Sequence, residues 1–147
     1  EVRALGPAMP LIDAALPGDV QVPLALTMVT GQTVAVHDLD FNRYRELGLD
    51  IWGDRGRLAL FQEGLYARHY PVAPHRAVEA AMEVACDAGT GLDPQLGHAW
   101  LFLYDNLAAA LSVETDLWSP GASALRTEGV LRAALLSAES GVAVAPQ

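Results

Sequence analysis

The groups best able to do chemistry are gathered in one stretch, His37-Asp38-Leu39-Asp40-Phe41-Asn42-Arg43-Tyr44. It holds an imidazole, carboxylates, an amide, a guanidinium and a phenol at the end of an alternating apolar run. A polyhydroxylated ligand needs such a mixture, because paired hydroxyls require both donors and acceptors. His37, Asp40, Arg43 and Tyr44 are therefore the candidate substrate-binding residues. Asp38 and Asp40 lie two apart on one strand face, where two carboxylates can hold a cation or share a proton. No third ligand follows nearby, and a solvated pair is the plainer alternative. The whole stretch has the same alternative, a wet strand end held by Asp–Arg pairing.

Other chemistries lack their residues. No Gly-x-Gly-x-x-Gly follows a strand, and Gly89-Thr90-Gly91 leads into Asp93-Pro94, which reads as a helix-capping loop. His37, His69, His75 and His98 are scattered and there is one cysteine, a poor set for zinc. No Gly-x-Ser-x-Gly elbow supports a serine nucleophile. All nine basic residues are arginine, so no lysine can act in catalysis within this chain. No catalytic, cofactor-binding or metal-binding residue is assigned. Cys86 is either a nucleophile or a small buried apolar residue, and a lone cysteine without an internal partner suits a reducing, cytoplasmic setting.

A formal charge of −9 argues against a basic patch for nucleic acid or an anionic membrane. No apolar run is long enough to cross a bilayer, and no signal peptide is visible. Yet 52% of residues are hydrophobic and mean hydropathy is +0.22, so part of the apolar surface is expected to meet a partner chain or another domain.

The elements that position these groups come from periodicity. Val2–Leu5 reads as a short strand. Val20 to Met28 alternates cleanly, with Pro23 marking an edge or a bulge. Thr33 to Asp40 completes a hairpin. Leu47, Leu49 and Ile51 then alternate with Gly48, Asp50 and Trp52, and Gly53-Asp-Arg-Gly56 turns the chain into Leu58 and Leu60. Leu65 to Tyr70 follows as a further strand. Ala77 to Ala88 has helical composition, although Val84 to Cys86 also suits a strand. Asp93-Pro94 opens a helix running to Leu111, with Leu96, Trp100, Leu103, Leu107 and Leu111 on one face. Ser119-Pro120 opens another, stopped by Gly141, with Glu128 and Arg132 placed for an i,i+4 pair. Strands followed by helices predict an α+β fold: a mostly antiparallel open sheet with two C-terminal helices packed on one face, in a single domain over residues 1–147. The other sheet face, also apolar, is expected to mediate self-association.

Several motifs resemble the C-terminal domain of the Gfo/Idh/MocA family, the glucose–fructose oxidoreductase, inositol dehydrogenase and rhizopine-catabolism proteins. Leu49-Asp-Ile-Trp-Gly-Asp-Arg-Gly-Arg-Leu58 resembles its central hairpin. Leu103-Tyr-Asp-Asn-Leu107 resembles one of its helices, and Leu136-Ser-Ala-Glu-Ser-Gly141 the end of its last. The resemblance implies a substrate and oligomerisation domain of an oxidoreductase that uses NAD or NADP on a sugar, nucleotide sugar or cyclitol. The family's Rossmann domain, its Glu-Lys-Pro lysine and its Asp/His helix have no counterpart here, so none of its catalytic or cofactor residues is carried over. Three readings stay open: a fragment of such an oxidoreductase, a freestanding noncatalytic assembly or ligand-binding module, and a small cofactor-free enzyme built on the same half-fold.

Overall fold

The computed structural model describes residues 1–10, 20–37, 39 and 45–147. Its strands are β1 (Val2–Ala4), β2 (Met9–Pro10), β3 (Val20–Gln21), β4 (Leu24–Thr27), β5 (Thr33–Val36), β6 (Leu49–Gly53), β7 (Gly56–Phe61), β8 (Tyr66–Pro74), β9 (Met82–Val84) and β10 (Thr90–Leu92). Helices α1 (Ala99–Leu111) and α2 (Gly121–Ser140) follow. All strand pairs are antiparallel and the helices come last, so the fold is α+β as the sequence predicts. Contacts divide the chain into two units, Glu1–Asn42 with Val113–Gln147, and Arg43–Ser112. Among the described residues no helix is long and apolar enough to cross a membrane.

In the first unit, the alternating run from Val20 is split at Pro23, which has no amide to give a neighbour. β3 pairs with β2, whereas β4 lies between β1 and β5. Helix α2 packs against β1. Val2 and Leu24 from the sheet meet Ala133 and Ala134 from the helix, with Leu26, Val130 and Val144 around them. Alanine at the contact lets helix and sheet backbones approach closely. Ser137 locks the arrangement: its hydroxyl accepts the Ala4 amide at 2.9 Å and donates to the Val142 carbonyl at 2.6 Å. Val2 and Val144 exchange two backbone hydrogen bonds of 2.8 Å. Pro120 precedes α2, Gly141 ends it at φ +74°, and Arg132 pairs with Glu128 at 2.9 Å.

The second unit is built on the sheet β10-β8-β7-β6, with β9 also pairing with β8. The expected helix over 77–88 is corrected here to a hairpin. His75 Nδ1 accepts the amides of Ala77 and Val78, each at 3.0 Å, and Ala80 takes φ +59°. Arg76 holds Glu83 at 2.7 Å and Asp87 at 2.8 Å across the turn. With the amides captured and β9 paired to Val72–Pro74, helical composition is overridden. Cys86, at the end of this hairpin, is exposed and not buried.

Helix α1 also starts later than its proline suggests. Asp93 Oδ1 accepts the Gln95 amide at 2.9 Å, and Gln95 adopts φ +53°, which interrupts helical backbone. Leu96–His98 is a 3-10 turn and α1 begins after it. The helix is apolar around most of its circumference, interrupted by Asp105 and Asn106. Its leucine stripe stays exposed, up to 77% at Leu111, and Trp100 is 71% exposed.

Candidate functional site

The strand register of the Arg43–Ser112 unit sorts its side chains onto two unlike faces. On one, Leu49 lies across from Leu60, which lies across from Ala67 and then Leu92. Ile51, Leu58, His69 and Thr90 form the adjoining row. Leu49, Ile51 and Leu92 are exposed on this apolar face.

The opposite face carries Trp52, Arg57 and Tyr70 in direct cross-strand register, with Asp50, Ala59 and Arg68 in the next row and Phe61 and Tyr66 beyond. The Arg57 guanidinium lies 5.1 Å from the Trp52 ring centroid and 5.4 Å from that of Tyr70. Its Nε and a terminal nitrogen both donate to Asp50 Oδ1 at 2.7 Å. The bond to Asp50 raises the Arg57 pKa above its ordinary value, against a smaller opposing effect of burial. Tyr70 and Cys86 also lie within electrostatic reach of this guanidinium.

Two glycines lie close against Tyr70, Gly56 at its backbone and Gly89 at its ring. A Cβ on Gly56 would overlap the Tyr70 carbonyl oxygen, and φ there is +136°. A Cβ on Gly89 would come within 2.5 Å of the Tyr70 ring and 2.8 Å of Arg68 Cδ, so both side chains lie directly over that glycine. Beside them is an open depression of about 540 Å³, lined by Glu46, Phe61, Tyr66, Arg68, Tyr70 and Gly91.

Comparisons with family models, with curated proteins and with solved structures returned no match. The site is therefore read from its own geometry. Its groups are rings, a paired guanidinium, a carboxylate and a second guanidinium, which hold a ligand by stacking and hydrogen bonding. Among the described residues no three His, Cys, Asp or Glu side chains gather as a metal set. His75 Nε2 lies 3.7 Å from Glu83, but its Nδ1 is occupied in capping the turn.

Of the substrate residues expected from sequence, His37 follows β5 and is exposed. Asp40, Arg43 and Tyr44 lie outside the described residues. The residues that do come together, Trp52, Arg57 and Tyr70, were within reach of the same periodicity. A two-residue loop at Asp54-Arg55 places Trp52 opposite Arg57, and alternation puts both away from Leu49 and Ile51.

Arg57→Ala is expected to lower stability by about 1–2 kcal/mol, from two ring contacts and one exposed ion pair. A raised pKa makes this contribution present wherever the free guanidinium is itself charged, and lost only in strong alkali. Urea unfolding followed by tryptophan fluorescence is expected to show the same difference at pH 6 and pH 9. A difference that disappears within that window would rule out the charged stack as its source.

Proposed function

We propose that this chain is the substrate-binding and self-association domain of an NAD(P)-dependent oxidoreductase acting on a sugar, a nucleotide sugar or a cyclitol. Hydride transfer then belongs to a separate dinucleotide-binding domain, which brings NAD or NADP, and the present chain transfers no hydride alone. The observation that carries the reading is the two-faced sheet of the Arg43–Ser112 unit. Rings flanking a guanidinium–carboxylate pair suit the apolar face and hydroxyls of a sugar. The Leu49, Ile51, Leu58 and Leu60 rows suit a second copy, since burying roughly 800 Å² per partner makes a standard contact. At ~25 cal/mol per Å² of apolar area, that burial offsets the cost of association. The hairpin resemblance supports the same assignment.

The test is a titration of the chain with glucose, myo-inositol, UDP-glucose and NADH, followed by NMR at the Trp52 indole. Saturable shifts are expected with at least one of the polyhydroxylated ligands and none with NADH. Light scattering at micromolar concentration is expected to give at least a dimer mass, reduced by Ile51→Glu. A monodisperse 15.6 kDa monomer that ignores every polyol would sink the proposal.

A further inference from the structure

Arg68 lines the depression with its stem over Gly89, and like Arg55 it holds no carboxylate among the described residues. Arg45, Arg57 and Arg76 each hold a carboxylate at 2.7 to 2.8 Å. Arg68 makes no ion pair or hydrogen bond among the described residues. It is exposed, yet its stem is seated over Gly89 beside the Tyr70 ring. Directly across the strand pair from it is Gly91, where an added Cβ would meet nothing within 4 Å. The absent side chain is what leaves space beside the guanidinium. Phe61, Tyr66 and Tyr70 give the depression apolar walls. Glu46 borders it with one carboxylate oxygen held by the Gln62 amide at 2.8 Å, so its other oxygen is available as an acceptor.

We infer that this depression binds a sugar that carries an oxyanion, either a carboxylate or a phosphate. The inference rests on the reading of this face as a sugar site and adds the ligand's charge. Arg68 pairs with the oxyanion through two parallel N–H donors, a geometry that guanidinium and oxyanion share. Ring hydroxyls donate to Glu46, and the apolar face of the sugar lies against Tyr66 or Phe61. A neutral sugar leaves Arg68 unanswered. An inorganic anion has no hydroxyl-bearing ring for Glu46 and the aromatic wall, and meets a chain of net charge −9.

The experiment is NMR titration of the whole chain with glucuronate, glucose 6-phosphate, glucose and inorganic phosphate, read at the Gly91 amide and the Arg68 Nε–H. At least one anionic sugar is expected to saturate these signals at about tenfold lower concentration than glucose, the worth of one charge-assisted contact. Response to glucuronate alone identifies a carboxylate ligand, and response to glucose 6-phosphate alone a phosphate. Arg68→Gln is expected to erase the preference while leaving the Trp52 indole signal in place, and Gly91→Leu to block the depression outright. Equal affinity for glucose and both anionic sugars overturns the inference while leaving the sugar site standing. A preference that survives Arg68→Gln, or inorganic phosphate matching glucose 6-phosphate, also overturns it. If no sugar perturbs this face, both readings fall.

Discussion

Gly56→Ala is expected to destabilise the Arg43–Ser112 sheet by about 3 kcal/mol or more, the largest effect of any single methyl group in the unit. Two independent faults combine. Gly56 holds φ +136°, a backbone region that L side chains rarely enter. The new Cβ would also overlap the Tyr70 carbonyl oxygen, and that neighbour is backbone, so it cannot rotate aside. Gly56 pairs with Gly53 on one side and Pro71 on the other, so relief on either side breaks a ladder. Gly53→Ala is the control, because a Cβ there meets nothing within 4 Å. Its expected change is below about 1 kcal/mol. Urea unfolding followed at Trp52 measures both; equal midpoints for the two variants would show that the turn does not impose the conformation.

The second large effect is expected in the other unit. Ser137 is 1% exposed in the last turn of α2. Its hydroxyl serves the Ala4 amide and the Val142 carbonyl, so it joins α2 to β1 and to the chain that follows the helix. Ser137→Ala removes the shared partner and leaves a donor and an acceptor without replacement. Each such group costs roughly 1–3 kcal/mol when it stays buried, and partial solvation brings the expected total to about 2–3 kcal/mol. Ser140→Ala removes a hydroxyl that bonds only the Leu136 carbonyl of its own helix, and is expected to stay within about 0.5 kcal/mol. Hydrogen exchange at the Ala4 amide separates the two. It is expected to accelerate in S137A and stay unchanged in S140A; equal rates would mean that the bond carries no stability.

What could be read in advance was local. Gly53-Asp-Arg-Gly56 announces a hairpin because alternation on both sides fixes its register. Pro23 announces a break, and Ser119-Pro120 with Gly141 brackets a helix to within two residues at each end. The misreadings come from contacts that no window of sequence contains. Ala, Glu and Met over 77–88 favour a helix until pairing with Val72–Pro74 and the capture of two amides by the His75 imidazole oppose it. Asp93-Pro94 signals a start, yet the Asp93 side chain takes the Gln95 amide for a turn instead. The leucine periodicity of α1 is real, but periodicity does not say what covers it. Nothing about Ser137 distinguishes it in sequence from Ser140. Of the candidate site, the Trp52–Arg57–Tyr70 row follows from alternation once the register is set, whereas the space beside Arg68 depends on which strand lies across from it.

The pairing of Val2 with Val144 sets an order of events during synthesis. The Arg43–Ser112 sheet pairs strands that are next or next but one in sequence, so its loops close cheaply and each pair can form soon after its own residues appear. The other unit is assembled from the two flanks of that segment, and its Ala4–Ser137 bond spans 133 positions. Until α2 leaves the ribosome, β1 waits with Val2 and Leu24 uncovered by Ala133 and Ala134. During that interval a finished Arg43–Ser112 unit is flanked by an unfinished one. That interval is when an apolar edge such as β1 is most open to the wrong strand or to a chaperone.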